Sequence, residues 1–156
     1  MIYKVLLLIL IPLFSFGQVG KKITSNSLKH LDSSLASAFL KAQKQWKLDH
    51  PTWPQVVAFC TYRSPAQQAY LYAQGRTRKG TIITQLKSGG AHNKYPAMAM
   101  DIAFIDKKGR YQWQDSWTRL FSPYLELYGF DWGGRWAWKD WQHFEVKKWR
   151  LKRKKK

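Results

Sequence analysis

Hydrophobic and polar positions alternate over residues 97–104, AMAMDIAF. In an extended chain Ala97, Ala99, Asp101 and Ala103 fall on one face, and Met98, Met100, Ile102 and Phe104 on the other. The bulky face can pack a core, while the small face leaves space around a single carboxylate, which suits a site. Upstream, Leu31, Leu35, Ala38, Phe39, Ala42 and Trp46 recur at helical spacing and predict an amphipathic helix over about 28–47, capped by Asn26 or Ser27. Pro51 and Pro54 break it. Residues 55–62, QVVAFCTY, read as a buried strand that delivers Arg63 at its end. Ser64 and Pro65 supply a cap and a first-turn proline for a second helix that stops at Gly75.

Downstream, residues 75–90 form a basic, glycine-rich loop with a short strand at 81–84, and residues 106–109 make a turn. A third helix spans about 116–128 and is closed by Gly129. A short strand and turn (FDWGG), an aromatic loop at 135–141 and a closing strand at 142–149 complete the series. These elements predict an α+β domain: a small antiparallel sheet with helices on one side and a groove on the other.

The first 17 residues carry one cation, Lys4, then an unbroken apolar run from Val5 to Phe14, then the small residues Ser15 and Gly17. The apolar run is shorter than the ~20 residues of a spanning helix, so the pattern reads as a signal peptide cleaved before Gln18 rather than as an anchor. Residues 18–27 read as a polar, flexible lead-in, 28–147 as the folded domain and 148–156 as a basic tail. The chain is thus expected to be exported, to the periplasm or beyond, and to act as a monomer.

Charge narrows the partners. The chain holds 27 Lys and Arg against 9 Asp and Glu, a net charge of +18, and residues 51–100 contain no acid. Such a surface seeks polyanions. Outside the cytoplasm these are acidic wall polymers or anionic membrane surfaces, reached through the tail, and not nucleic acid. The single cysteine, Cys60, excludes an intramolecular disulfide and lies in an apolar run that suggests a buried thiol.

Two of the four histidines have an acid nearby: His92 with Asp101, and His143 with Asp140. His30 and His50 have no second donor at useful spacing. His92, Asp101 and His143 supply nitrogen and oxygen donors that Zn2+ accepts, with a fourth position left for water. Glu145 shares strand parity with His143, and either a hydrogen bond to that histidine or a salt bridge to the tail would satisfy it.

Four blocks then occur in order: YRSPAQQAYLYAQGRT (62–77), AHNKYPAMAMDIAF (91–104), YGFDWGGRW (128–136) and DWQHFE (140–145). Together they resemble the M15 family of zinc peptidases, and most closely its L-alanyl-D-glutamate endopeptidases and D-alanyl-D-alanine carboxypeptidase-like enzymes. The resemblance implies a Hedgehog/DD-peptidase-like fold. It also implies zinc held by His92, Asp101 and His143, Asp140 as the catalytic carboxylate, and Arg63 binding substrate and steadying the developing oxyanion. One departure is Gly90, where many members carry a serine two positions before the first ligand. The implied reaction is cleavage of peptidoglycan stem peptides at the L-Ala-D-Glu bond. A D-Ala-D-Ala carboxypeptidase or dipeptidase is the alternative, and a non-catalytic cationic binder of wall or membrane is the alternative of another class.

Overall fold

The alternating segment at 97–104 becomes the centre of a five-stranded sheet. The strands are β1 (Gln55–Cys60), β2 (Ala99–Ile105), β3 (Tyr111–Gln112), β4 (Phe130–Trp132) and β5 (His143–Val146). Their order is β1-β2-β5-β4, with β3 also on β2, and every pairing is antiparallel. This computed structural model describes residues 21–147 and 149, so the leader at 1–17 and the tail at 148–156, Trp149 aside, lie outside the described residues. No helix among the described residues is long and apolar enough to cross a membrane.

Helices α1 (Ser33–Asp49) and α3 (Asp115–Glu126) cover one face of the sheet, and α2 (Pro65–Tyr72) stands at the end of β1. The core lies between Leu35, Phe39, Ala42 and Trp46 of α1, Phe121 and Leu125 of α3, and Val56, Met100, Ile102, Phe104 and Phe144 of the sheet. Trp46 is 1% exposed and its ring meets those of Phe104, Phe121 and Tyr124 at 5.7–5.9 Å. Its indole N–H donates to the Pro54 carbonyl (3.0 Å), so the ring is buried without an unpaired donor. Each such large apolar side chain stabilises the fold by roughly 1.5–3 kcal/mol on burial. Pro123 sits inside α3 and cannot donate to the Arg119 carbonyl; the Ser122 hydroxyl donates there instead (3.1 Å).

The expected α+β sheet-and-helix arrangement is the observed one, with local corrections. The first helix starts at Ser33, not near Leu28, because Asp32 accepts from the N–H groups of Ser34 and Leu35 and caps it. Residues 28–30 form a separate 3-10 turn with Ser27 as its cap. The strand expected at 81–84 does not form; its polar groups go to side chains of the second-helix region, as described below. The closing strand ends at Val146, and β3 was not foreseen.

Residues 21–27 are not a loose lead-in over their described part. Ser25 N–H donates to the Tyr62 carbonyl, Thr61 N–H to the Ser25 carbonyl and Ser64 N–H to the Ile23 carbonyl. The wholly buried Thr61 adds two hydroxyl bonds of 3.0 Å, to the carbonyls of Ser25 and Ser27. Ala99 and Ala103 do not leave the small face of β2 open: both are covered, their short side chains letting neighbouring elements approach.

Candidate metal centre

Strand register assembles the site. Asp101 of β2 pairs with Cys60 of β1 across a β-bulge on one side and with His143 of β5 on the other. His92 arrives from a short 3-10 turn at 91–93. That turn is clamped to the end of β1, because Arg63 N–H donates to the His92 carbonyl (2.9 Å) and the Asn93 amide donates to the Arg63 carbonyl (2.8 Å).

Each imidazole has its outer nitrogen committed. His92 Nδ1 lies 2.7 Å from the Thr61 carbonyl, which can only accept, so Nδ1 carries a hydrogen and Nε2 is the nitrogen whose lone pair is free for an ion once its own proton is displaced. His143 Nε2 lies 3.1 Å from the Glu145 carboxylate, which leaves Nδ1 to face inward. Glu145, 4% exposed, is thus bonded to this histidine. His92 Nε2 and His143 Nδ1 are 3.3 Å apart, and each lies 3.1 Å from Asp101 Oδ1. A tetrahedral ion with bonds of about 2.0–2.1 Å has ligand-to-ligand edges of roughly 3.3 Å. The three inward atoms therefore have the spacing of three corners of such a shell.

Cys60 also lies close, its donor atom within 4.8 Å of those of His92 and Asp101. Its Sγ is 3.8 Å from His92 Nδ1, the nitrogen already bonded to Thr61, and 3.5 Å from Arg63 Nη2. It sits behind the imidazole, so His92, Asp101 and His143 make the better three-donor set.

The charges fit a cation. Burial alone would lower the His92 pKa, but Asp101 beside it raises it to about 10. His143 is raised against burial by its bonds to Asp101 and Glu145. Burial pushes the Asp101 carboxyl up, yet the two imidazoles hold it well below the ordinary carboxylate range. The pocket thus attracts positive charge to the point where the inward atoms meet.

Arg63 does not point freely into the groove. Its Nη2 donates to Asp101 Oδ2 (3.3 Å) and its Nη1 to Gln68 Oε1 (3.0 Å), while its buried Nε has no partner among the described residues. Gln68 is the one buried residue of α2, and its amide also donates to Thr84 Oγ1 (3.1 Å) and the Leu86 carbonyl (2.6 Å). It ties the basic loop to the arginine. The sequence reading missed Gln68, whose only signal was its place three residues after a Ser-Pro helix start.

Asp140 occupies the turn into β5, where its carbonyl accepts from His143 N–H (3.2 Å) and its own N–H donates to the Gly133 carbonyl (3.1 Å). A Cβ at Gly133 would stand 2.4 Å from that Asp140 carbonyl oxygen, so the close approach requires glycine. Desolvation and the Asp101 charge raise the Asp140 pKa against the pull of His143, His92 and Arg63. The residue as a whole keeps an exposed face. Trp136 walls the site, its ring 5.0 Å from that of His143.

No family model matches the chain. Over 95 residues it is 37% identical to the peptidoglycan L-alanyl-D-glutamate endopeptidase CwlK of Bacillus subtilis, an alignment covering 54% of this chain and 56% of CwlK. The chain thus spans about half the length of that relative. The crystal structure of the Serratia marcescens L-Ala D-Glu endopeptidase ChiX is similar at a TM-score of 0.60, with 17% identity, over 83% of this chain and 92% of ChiX. The likeness to ChiX is one of fold.

Proposed function

We propose that this chain is an exported zinc peptidase that cleaves peptidoglycan stem peptides at the L-Ala-D-Glu bond. The observation that carries the reading is the 3.1–3.3 Å mutual spacing of His92 Nε2, Asp101 Oδ1 and His143 Nδ1. The substrate rests on the activity for which CwlK and ChiX are named. In this reading residues 1–17 are a leader, 28–147 the peptidase domain and 148–156 a tail that holds anionic wall or membrane.

His92, Asp101 and His143 would hold the zinc, which when bound supplies Lewis acidity and brings the pKa of a coordinated water to about 7. The protein's own groups do the rest. Asp140 as a carboxylate would take a proton from the attacking water and return it to the leaving amine. Its raised pKa brings it nearer the range where both transfers are feasible. Arg63 orients Asp101 through Nη2, and its guanidinium adds positive potential where the carbonyl oxygen gains charge. Glu145 and the Thr61 carbonyl hold the two imidazoles in the tautomers that face inward.

The test is mass spectrometry of purified muropeptides digested with the zinc-loaded chain, alongside an Asp140→Asn variant whose metal content is measured in parallel. The expected products end at L-Ala and begin at D-Glu, and the variant keeps its zinc but loses turnover. Release of terminal D-Ala alone would replace the bond assignment, and full activity in Asp140→Asn would remove the role given to that carboxylate.

A further inference from the structure

Three large aromatic side chains stay exposed next to one another outside the ligand cluster: Phe59 (41%), Tyr111 (46%) and Trp113 (47%). Phe59 packs edge-on against both others, with ring centres 4.6 Å from Trp113 and 5.5 Å from Tyr111. Tyr111 and Trp113 are nearly parallel to each other, at 25° and 6.3 Å. Exposed apolar residues scattered singly are ordinary, but three in mutual contact form a surface.

Register places that surface. Tyr111 pairs with Ile105, and Ile105, Ala103 and Asp101 share one face of β2 because side chains two apart point the same way. The rings therefore stand on the metal-centre face of the sheet, opposite the helices. β1 and β3 both pair with Phe104 and Ile105, so they flank β2 on opposite edges, and Phe59 and Tyr111 meet across it. The patch starts beside Cys60, the register partner of Asp101, and runs about 13 Å along β2 towards Ile105. It is a continuation of the proposed groove.

The geometry points to a glycan subsite: Phe59, Tyr111 and Trp113 form a platform for the amino sugar that carries the stem peptide. The inference rests on the proposed reaction. Alanine and glutamate offer small or charged side chains that have no use for an aromatic surface. A pyranose ring offers flat faces of C–H bonds, polarised by neighbouring oxygens, that stack on the negative face of an aromatic ring. In an L-Ala-D-Glu cleavage only one residue and an acyl link separate the sugar from the scissile bond. The sugar must then lie beside the metal centre, on the N-terminal side of the cut.

Two substrates separate the possibilities: a stem peptide still linked to its disaccharide, and the same peptide freed of sugar. Wild type should have a lower KM for the linked form. Trp113→Ala should lower the ratio of kcat/KM for linked over free peptide about tenfold, with Tyr111→Ala in the same direction. Trp113→Phe, which keeps a ring, should restore most of the ratio. If wild type cuts both substrates and Trp113→Ala leaves the ratio unchanged, through an equal loss on both or none on either, the platform is overturned and the reaction stands. Wild type that cuts neither overturns the reaction, and the platform with it.

Discussion

Asp101 divides its carboxylate between two tasks: Oδ1 faces both imidazoles while Oδ2 accepts from Arg63. That division makes the outer bonds of the imidazoles decisive, because an inward lone pair exists only while the opposite nitrogen keeps its hydrogen. For His92 the fixing group is a backbone carbonyl, which mutation cannot remove. For His143 it is the side chain of Glu145, which mutation can. Outer partners of metal-bound histidines typically account for 10–100-fold in metal affinity. Glu145→Ala should therefore weaken zinc binding by about that factor, measured by competition with a chromophoric chelator. Glu145→Gln, which keeps an acceptor oxygen at the same reach, should lose less. Activity of both variants should recover at saturating zinc, since neither change touches the reacting groups. An affinity indifferent to Glu145→Ala would reduce this carboxylate to a structural partner of β5.

Elements were legible where their signal is local. The alternation of β2 and the Ser64-Pro65 start of α2 depend on neighbours in sequence, and both stand in the structure. The break before Ser33 was not legible, because it depends on Leu31 bridging to the distant Ala97 and on Asp32 N–H donating to the Ala97 carbonyl. Gln68 on a short helix reads as surface until Thr84 and Leu86 fold over it. His92, Asp101 and His143 could be picked out by residue type, but Cys60 joins them only through strand register. The helix layer holds a further long-range device: Tyr124 of α3 donates to the Asp49 carboxylate at the end of α1 (2.6 Å). That bond lowers the Asp49 pKa, and burial together with Asp49 raises the Tyr124 pKa to about 12. A depressed carboxylate contributes stability above its unfolded pKa and loses it as pH falls through the folded value; a raised phenol contributes below its unfolded pKa and loses it as pH rises through about 12. Tyr124→Phe should thus lower the melting temperature at neutral pH, with the gap to wild type narrowing as pH falls below the ordinary aspartate range. A gap that stays constant across this range would assign the loss to packing instead.

At the scale of the whole molecule the dominant fact is a net charge of +18, and its placement decides what it can do. Arg63 at the metal centre is bonded to Asp101, and the loop anchored by Gln68 carries Arg76, Arg78 and Lys79. The guanidinium groups of Arg76 and Arg78 lie over the rings of Tyr72 and Tyr70, which stiffens that loop without neutralising it. The terminal run, by contrast, follows β5 and supplies none of the proposed catalytic groups, so its effect should be on attachment rather than chemistry. Exposed charges are screened beyond about 8 Å at physiological salt, so attachment through the tail should weaken steeply as salt rises while turnover of small, soluble muropeptides should not. Removing residues 152–156 deletes five cations. The truncated chain should sediment less with intact wall sacculi at low salt, and its binding should fall less steeply as salt is raised, with kcat/KM on soluble muropeptides unchanged. Sedimentation identical to the full chain across the salt series would shift the attachment to the basic loop, where charge reversal of Arg76 and Lys79 would then carry the salt dependence.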